Sequence, residues 1–266
     1  MRQVNGRRFL ITGATGSLGR ATALRLCEMG AALVLPVRSP ERGEALRREL
    51  LTLCPTAELS FPLLDLGDEE SVYALAEALL KDGRPLDGLI LNAGVFIGEK
   101  RKSRHGNEWH MQVNCISPAL LTACLLPLLG LSADPCVVTV TSLAAFWFRK
   151  EGVSPTRLYA GSKQSFLREI AHLSAKEPNI SFVFAHPGIC ATGLFGSRSG
   201  KSPYPPLFLR FALPLMKWIF PKPERACRTT LHALLEADGG QLAEPDGFLH
   251  IWGKPFLVPL CKRFNG

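Results

Sequence analysis

The stretch Phe9-Leu10-Ile11-Thr12-Gly13-Ala14-Thr15-Gly16-Ser17-Leu18-Gly19 decides the fold of this chain. Its first three residues are apolar and predict a short buried strand, and helical periodicity begins at Ser17. Glycines at positions 13, 16 and 19 allow a tight turn between the two and a close approach of backbone to phosphate. The helix that follows offers free N–H groups at its positive end. The pattern is typical of a dinucleotide-binding turn, and its flanking strand and helix disfavour the alternative, an ordinary glycine loop.

Strand and helix alternate along almost the whole chain. Short apolar runs predict strands at 9–11, 32–37, 59–64, 89–91, 137–140, 180–185 and 247–251. Helical periodicity, acidic first turns and proline starts predict helices at 17–29, 40–53, 68–81, 109–129, 159–175 and 223–237. The alternation predicts an α/β fold, with a doubly wound parallel sheet between two helical layers in a single domain over residues 1–266. Pro36 should lie at the C-terminal end of its strand, where a ladder N–H is dispensable.

The segment 193–223 interrupts this alternation. A small basic loop is followed at 205–220 by a strongly apolar run with isolated cations. Three interpretations are open: a helix that completes the core, a helical lid over an apolar substrate, and a surface that contacts a membrane. The position of the segment directly after the sixth predicted strand favours the lid.

Composition limits the class of protein. The chain has 266 residues, of which 47% are hydrophobic and 20% charged, as in a globular protein with a large core. No run approaches the roughly 18 apolar residues of a membrane helix, and the polar start lacks the pattern of a secretory signal. The net charge of +8 indicates either a solvated basic surface or attraction for an anionic ligand or membrane surface. Nucleic acid is disfavoured because no binding motif accompanies the charge.

The eight cysteines are scattered, without C-x-x-C pairs and without histidines at zinc-ligand spacing, so we expect no metal. Several lie in apolar runs, which predicts reduced, buried thiols in a reducing compartment. We therefore expect a cytoplasmic protein, with a peripheral membrane position as the alternative.

The residues after the second predicted strand indicate which dinucleotide would bind. A carboxylate there would hydrogen-bond the adenosine ribose and favour NAD(H), whereas an arginine accommodates the 2′-phosphate of NADP(H). The chain has Arg38 and Ser39, with Arg42 one helical turn further and no carboxylate at 37–39. Because a guanidinium can clamp a phosphate that a carboxylate would repel, we predict NADP(H) over NAD(H). The alternative is an ordinary surface arginine.

Tyr159 and Lys163 lie four residues apart, a spacing that places both on one face of a helix. An ammonium held near a phenol favours the phenolate and lowers its pKa from the ordinary value of about 10. Such a phenol can exchange a proton with a substrate alcohol or carbonyl. The pair is weak evidence by itself and gains weight from the other motifs, which follow in a fixed order.

Together these motifs resemble the short-chain dehydrogenase/reductase family over nearly the whole chain. The resemblance rests on the Thr-Gly turn, Asp65-Leu66, Asn92-Ala93-Gly94, Asn114, Ser142, Tyr159-xxx-Lys163 and Pro187-Gly188 with Thr192. The family implies a Rossmann fold and an oxidoreductase that interconverts a carbonyl and an alcohol by hydride transfer with a nicotinamide cofactor. Ligands of an open parallel sheet bind beyond the carboxyl ends of the strands, where these motifs lie.

The resemblance also implies a role for each matching residue. Tyr159 would be the acid in reduction and the base in oxidation, and Ser142 would hydrogen-bond the substrate oxygen. Asn114 would support a relay water, Lys163 would hold the nicotinamide ribose, and Asp65 would contact the adenine. The other cofactor contacts would come from Thr12, Gly13, Thr15, Gly16, Ser17, Leu18, Gly19, Leu66, Asn92, Ala93, Gly94, Pro187, Gly188, Ile189 and Thr192.

Two positions depart from the common pattern of the family. Ser17 stands where the short form has glycine, and the resulting spacing is similar to that of the extended members, often sugar-nucleotide epimerases. Leu91 stands where many members have a second asparagine. The chain length and the Asn-Ala-Gly and Ala-Gly-Ser-Lys contexts favour the short form. The segments 185–188 and 223–226, with the apolar 205–220, resemble the retinol-dehydrogenase and WW-domain-oxidoreductase branch, which handles retinoid, steroid and other lipophilic alcohols and carbonyls.

We therefore predict an NADP(H)-dependent oxidoreductase that acts on a small lipophilic carbonyl or alcohol. The alternatives are a non-catalytic NADP(H)-binding redox sensor and a sugar-nucleotide epimerase. Pairing of subunits into a homodimer or homotetramer, through the helices around Trp109 and Tyr159, is left open. His186 is interpreted as a structural residue at a strand end, and His105 and His110 as loop and helix-surface residues.

Overall fold

One sheet organises the residues that the computed structural model describes, which are 1–147, 154–189 and 221–263. Its strands are β1 (Arg8–Ile11), β2 (Ala32–Val34), β3 (Leu59–Ser60), β4 (Gly88–Leu91), β5 (Cys136–Val140), β6 (Ser181–Ala185), β7 (Gln241–Pro245) and β8 (Pro255–Pro259). Their order is β3-β2-β1-β4-β5-β6-β7-β8, and every pair is parallel except β7 and β8. The strand order reverses between β1 and β4, so a crevice is expected at the carboxyl ends of these two strands.

Helices cover both faces of the sheet. On one face lie α1 (Ser17–Glu28), α2 (Pro40–Leu53) and α8 (Pro223–Glu236), and on the other α3 (Glu69–Asp82), α5 (Ser117–Leu129) and α7 (Pro155–Lys176). Two short helices are α4 (Trp109–Met111) and α6 (Ala144–Trp147). Along β1, Phe9 and Ile11 pack into the first layer while Leu10 packs into the second, as the two-residue period of a strand requires. The predicted three-layer, doubly wound parallel sheet is confirmed.

The predicted strand at 247–251 was wrong. The chain instead forms β7 at Gln241–Pro245, a 3₁₀ turn at Phe248–His250 and the antiparallel strand β8 at Pro255–Pro259. Between these strands the chain doubles back, because the N–H of Gly247 donates to the carbonyl of Trp252 and that of Asp246 to Lys254, both at 2.9 Å. The strand β7 was not predicted because it contains the buried Glu244, and a sequence pattern places a carboxylate on the surface.

Other predicted bounds shift by a few residues. β2 ends at Val34 and not at the predicted residue 37, so Pro36 lies beyond the strand instead of at its C-terminal end. The N–H groups of Leu35 and Val37 donate to the carbonyls of Ser60 and Pro62 at 2.8 Å, and Pro36 faces away from this ladder. β3 is only Leu59–Ser60, shorter than the predicted 59–64. α7 starts a turn earlier than predicted because Ser154 caps it, accepting from the N–H of Arg157 at 3.4 Å, and Pro155 occupies its first turn.

The predicted helix 109–129 is continuous but not uniform. Between α4 and α5 the residues Gln112–Ile116 form a π-helical turn, a feature that often marks a functional site. The whole segment is long and apolar enough to cross a membrane by length and composition, and 61% of its most apolar window is buried in the protein. A core helix passes the same test, and this one packs between α3 and α7.

The proposed lid at 193–223 lies outside the described residues apart from its last three, and the proposed membrane contact at 205–220 lies wholly outside them.

The seven described cysteines carry free thiols. Cys27, Cys115, Cys136 and Cys227 are buried, but Cys261 is exposed, so the expectation of buried thiols was wrong there. Cys261 follows Leu260 in a terminal 3₁₀ turn, and the turn buries only the leucine.

A hydrogen-bonded junction joins the carboxyl ends of β1 and β4. The hydroxyl oxygen of Thr12 accepts from the N–H groups of Asn92 and Ala93, both at 3.0 Å, and the side-chain amide of Asn92 donates to the carbonyl of Thr12 at 2.9 Å. Thr12 is buried, and its hydroxyl is the acceptor that the N–H of Ala93 uses, while the N–H of Asn92 also donates to the carbonyl of Ile90 at 3.0 Å. The junction therefore fixes the spacing of the two strand ends at the crevice.

Replacing Thr12 with valine should lower the free energy of unfolding by about 1 kcal/mol or more, because the N–H of Ala93 loses its acceptor while that of Asn92 keeps the carbonyl of Ile90. Urea denaturation followed by circular dichroism measures the change. The matched control is Thr12→Ser, which keeps the hydroxyl and should lie close to the unaltered chain. Equal losses in the two variants would mean that the threonine acts through its methyl group and not through the junction.

Candidate active site

A cleft of about 1090 Å³ opens at the carboxyl edge of the sheet, where the strand order reverses. Its walls come from the segments that follow β1, β2, β3, β4, β5 and β6, together with α4 and the start of α7. The structure brings the following predicted site residues to this cleft: Thr12, Gly13, Thr15, Gly16, Ser17, Leu18, Gly19, Arg38, Asp65, Leu66, Asn92, Ala93, Gly94, Ser142, Tyr159, Lys163, Pro187, Gly188 and Ile189. Asn114 lies behind the wall, and Thr192 lies outside the described residues.

The glycine turn has no space for a side chain at positions 13 and 19. Gly13 has a φ of +70°, and a Cβ there would lie 2.9 Å from the Cα of Ala93. A Cβ on Gly19 would lie 2.4 Å from the carbonyl oxygen of Gly13 and 2.6 Å from the side-chain nitrogen of Asn92. Both approaches are closer than carbon atoms tolerate, so only glycine permits this turn to pack against the end of β4.

The N-terminus of α1 faces the cleft without a side-chain cap. Gly16 is the N-cap residue, no side chain accepts from the first turn, and that turn carries no acidic residue. The unsatisfied N–H groups and the positive end of the helix dipole favour an anion here. Ser17 is the first helical residue and lines the cleft, so the serine fits this turn where the common form of the family has glycine. The cradle that a Cβ would fill and the uncapped helix start both fit the pyrophosphate of a dinucleotide.

Cationic side chains line one end of the cleft. Arg38 follows β2, and Arg42 lies in the first turn of α2; both are exposed. Between them Ser39 caps α2 by accepting from the N–H of Arg42 at 3.3 Å, while its hydroxyl donates to Glu41 at 2.6 Å. The hydroxyl of Ser39 is therefore already engaged. Among the described residues, neither of the two guanidinium groups forms an ion pair that would hold it away from the cleft. This end of the cleft offers two positive charges to a ligand.

Asp65, after β3, uses part of its carboxylate within the protein. Its Oδ1 accepts from the N–H of Gly67 at 2.8 Å, and its own N–H donates to the hydroxyl of Ser71 at 2.9 Å. Both bonds fix the loop that leads from β3 into α3. Leu66 and Trp109 complete an apolar wall beside it, with the guanidinium of Arg101 stacked 3.6 Å above the indole ring.

Ser142, Tyr159 and Lys163 line the cleft on the side of β5, away from Arg38 and Arg42. Ser142 follows β5, and its hydroxyl accepts from the N–H of Ala144 at 3.3 Å. The ring of Tyr159 packs at 5.0 Å from that of Phe96 and at 6.4 Å from that of His110, measured between centroids. One turn further along α7, the ammonium of Lys163 donates to the carbonyl of Val140 at 3.1 Å. Burial lowers the pKa of Lys163 to about 8 from its usual 10.5.

Asn114 lies in the π-helical turn and is fully buried. Its side-chain oxygen accepts from the N–H of Val95 at 2.7 Å, and its nitrogen donates to the carbonyl of Val95 and to the hydroxyl of Ser162, both at 3.0 Å. The residue thereby ties the segment after β4 to α7 beside Lys163. Its side chain is engaged by these partners, so Asn114 positions the two segments relative to each other.

The interpretation of His110 as a helix-surface residue was wrong. It is 1% exposed, its Nε2 accepts from the N–H of Ile97 at 3.1 Å, and its Nδ1 lies 2.7 Å from the carboxylate of Glu108. Because Nε2 is an acceptor, the ring proton lies on Nδ1 and donates to Glu108. The segment 95–97 folds back over α4 and buries the ring, which local sequence does not reveal. His105 is exposed in its loop, and His186 is buried at the end of β6, both as predicted.

Sequence reasoning missed several residues of the cleft wall. They are Val95, Phe96, Ile97, Val113, Leu143, Trp147 and Arg157. The available signal was their position, because Val95–Ile97 and Leu143 directly follow the polar residues at the ends of β4 and β5. Within the described ranges, no group of three or more His, Cys, Asp or Glu side chains could hold a metal ion.

The chain is similar in sequence to known proteins. The family model for short chain dehydrogenases matches residues 7–202. Human retinol dehydrogenase 11 is 30% identical over 244 residues, which cover 88% of this chain and 74% of that protein. Among the curated relatives matched over 86% or more of this chain, the chain spans between 63% and 75% of their own length. The resemblance to the branch of the retinol dehydrogenases is supported by these relatives.

Solved structures share the fold. A metagenomic short-chain oxidoreductase in complex with NADP superimposes with a TM-score of 0.66 at 20% identity, covering 89% of this chain and 94% of that one. A short chain dehydrogenase/reductase from Burkholderia phymatum in complex with NAD gives 0.69 at 21% identity, covering 88% and 87%. The two proteins hold different dinucleotides on the same fold, so the fold by itself does not select between NADP and NAD.

The buried ammonium of Lys163 should leave a signature in the pH dependence of stability. Its pKa of about 8 in the folded chain lies below the 10.5 of the unfolded chain, so between these values the unfolded chain binds more protons and stability rises with pH. Below pH 8 Lys163 is protonated in both the folded and the unfolded chain, and burial of its charge lowers the free energy of unfolding by the full amount, on the order of 3 kcal/mol. The difference in unfolding free energy between the unaltered chain and Lys163→Met should therefore be flat from pH 6 to 7.5 and then grow in favour of the unaltered chain.

Urea denaturation of both proteins across about pH 6 to 9.5 measures this difference. The subtraction removes the titration of tyrosines and cysteines that the two proteins share. A difference that stays constant over the whole range would show that the ammonium keeps an ordinary pKa.

Proposed function

The chain belongs to the short-chain dehydrogenase family, and from this membership we propose that it is an NADP(H)-dependent oxidoreductase that interconverts a lipophilic carbonyl and its alcohol. The observation that carries the proposal is that Ser142, Tyr159 and Lys163 line the same cleft as the glycine turn. A group that exchanges protons and a cradle for phosphate thus share one space. The cleft volume of about 1090 Å³ is large enough for a dinucleotide and a small substrate.

The proposed cofactor site follows the cleft from end to end. The turn at 13–19 and the N-terminus of α1 would hold the pyrophosphate, and Asp65 with Leu66 would face the adenine. Asn92, Ala93 and Gly94 would line the middle, and Lys163, Pro187 and Ile189 would hold the nicotinamide half. When bound, the cofactor supplies or accepts the hydride.

The proton chemistry falls to residues of the chain. A carbonyl oxygen that gains electrons in reduction becomes alkoxide-like, and the hydroxyls of Ser142 and Tyr159 would stabilise the charge as it develops. Tyr159 would then donate its phenolic proton to that oxygen. The ammonium of Lys163 would favour the resulting phenolate. Asn114 would keep Lys163 in place through its bond to Ser162.

Apolar side chains around Tyr159 support a lipophilic substrate. Phe96, Ile97, Leu143 and Trp147 line the cleft at this end, and nearly half of the Trp147 surface is exposed. Burial of an apolar ligand against such a wall is favourable at roughly 25 cal/mol per Å². The name of human retinol dehydrogenase 11 is consistent with a substrate of this class.

The preference for NADP(H) rests on Arg38 and Arg42. Among the described lining residues, the only carboxylate is that of Asp65, and it is partly engaged by Gly67. A 2′-phosphate at the end of β2 would therefore meet two guanidinium groups and no carboxylate of the lining.

Replacing Tyr159 with phenylalanine should reduce kcat by at least about 10²-fold, because only the proton-transfer group is lost. NADPH affinity, measured by fluorescence titration, should stay within about twofold of the unaltered chain. The matched control is Tyr73→Phe on α3, whose exposed hydroxyl lies far from the cleft and should leave both quantities unchanged. Turnover of lipophilic ketones by Y159F at the rate of Y73F would refute the assignment of Tyr159.

Replacing Arg38 with aspartate should raise the Kd of NADPH relative to that of NADH by at least about tenfold, or roughly 1.4 kcal/mol, because a carboxylate would repel the 2′-phosphate. The matched control is Arg48→Asp, which makes the same charge change on an exposed face of α2 outside the cleft. Calorimetric titration with both dinucleotides gives the ratio. A ratio that R38D and R48D shift equally would remove Arg38 from the cofactor site.

A further inference from the structure

A buried carboxylate lies beside the cleft, and the proposed chemistry does not use it. Glu244 is 1% exposed at the carboxyl end of β7. The register of β6 and β7 pairs Ala185 with Ala243, so the next residues, His186 and Glu244, are neighbours on the two strands. A carboxylate in such a position is costly unless its charge is balanced.

Three groups face this carboxylate in the described part of the chain. The Nε2 of His186 lies 3.2 Å from Oε2, and the Nδ1 of His250 lies 3.4 Å from Oε1. The guanidinium of Arg263 binds with two prongs, its Nε at 2.9 Å from Oε2 and its Nη2 against Oε1. Burial tends to raise the pKa of Glu244, but the hydrogen bonds from His186 and Arg263 outweigh it and lower the pKa. Glu244 is therefore ionised, and Arg263 supplies the full charge that balances it.

The hydrogen bonds of His186 fix which of its nitrogens carries the proton. The N–H of Gly188 donates to Nδ1 at 3.2 Å, so Nδ1 has a free lone pair. Burial lowers the pKa of His186 and keeps the ring neutral, so the single proton lies on Nε2 and donates to Glu244. The ring thus connects the carboxylate to the backbone of the loop that follows β6.

The same loop is held from its other side by the turn between β7 and β8. The N–H of Ile189 donates to the carbonyl of Ile251 at 3.1 Å. A Cβ on Gly188 would lie 2.0 Å from that carbonyl oxygen, so the two backbones are in direct contact. His250, the neighbour of Ile251, has a φ of +55°, and its Nδ1 lies 3.0 Å from the carbonyl of Pro245 and beside Glu244. Both supports of the loop therefore lead back to one carboxylate.

We propose that Glu244, balanced by Arg263, is a positioning residue that sets the backbone shape of the loop Pro187–Ile189 through His186 and so governs affinity for the nicotinamide half of the cofactor. The inference rests on the proposed function, which assigns this loop to that half. Arg263 has a specific part in it. Without the guanidinium, Glu244 would attract a second proton to His186, and a doubly protonated ring carries an N–H on Nδ1 that cannot accept from Gly188.

The prediction separates the two halves of the cofactor. Arg263→Met and Glu244→Gln should weaken NADPH binding by about tenfold or more at pH 7, because a displacement of about 1 Å in a positioning segment has effects of up to 10²-fold. The Kd of 2′-phospho-ADP-ribose, which has the adenosine half and no nicotinamide, should change by less than about twofold. In R263M the Kd for NADPH should rise further as pH falls from 8 to 6 and His186 gains its second proton. In the unaltered chain the ratio of the Kd values of the two ligands should stay constant over the same pH range. Arg263→Lys keeps the charge and should recover the flat profile.

Calorimetric titration of both ligands at pH 6, 7 and 8 tests this, with the same pair repeated as NADH and ADP-ribose. The matched control is Arg7→Met, which removes an arginine from a partly buried ion pair with Asp87 at the amino edge of the sheet. It should leave the ratio of the two Kd values unchanged. If R263M fails to fold by circular dichroism, E244Q and R263K decide the question through the same ratio.

Two results would overturn the inference while the proposed function stands: a parallel loss of affinity for both ligands in E244Q and R263M, or no loss for either. An unaltered chain that binds neither dinucleotide nor either fragment would instead overturn the proposed function, and this inference with it.

Discussion

The hydroxyl of Thr12 is the contact on which the cleft depends. It accepts from two successive amides at the end of β4, and the side chain of Asn92 returns a bond to the end of β1. The two strand ends are thereby held so close that neither Gly13 nor Gly19 has space for a Cβ. The N-cap residue of α1 is Gly16, which has no side chain, so the first N–H groups of the helix are left free beside the crevice. A hydrogen bond between neighbouring strands thus determines where an anion can bind.

Charge is distributed along the cleft in a way that suits a long anionic ligand. Arg38 and Arg42 lie at one end, the positive end of α1 lies in the middle, and Lys163 lies at the other end. The last of these is costly, because burial holds the pKa of its ammonium near 8 and the folded chain gives up stability to keep it charged. A buried cation that weakens the apo protein is typical of a site whose ligand or reaction uses the charge.

The sequence was sufficient for features that local geometry determines. The strand, glycine turn and helix at 9–19 have one workable arrangement, and the polar residues at the ends of β4 and β5 must meet because parallel strands end at one edge. It was insufficient where a polar group is buried by a partner far along the chain. β7 was not predicted, and it contains the buried Glu244, whose charge Arg263 and His186 balance from distant positions in the chain. His110 likewise looked exposed because the segment that covers it, 95–97, precedes it by a whole loop.

These errors share a physical cause that bears on function. A pattern of apolar and polar residues assumes that polar groups prefer water, and the assumption fails where a fold supplies each buried polar group with partners. Among the described residues, Lys163, His110, Asn114, His186 and Glu244 are all buried near the carboxyl edge of the sheet. At the amino edge, by contrast, the ion pairs of Arg7 and Arg8 with Asp87 and Asp82 remain partly open to solvent. These five groups lie at the edge where the cleft lies, and a network that is satisfied by the protein holds its members in one geometry.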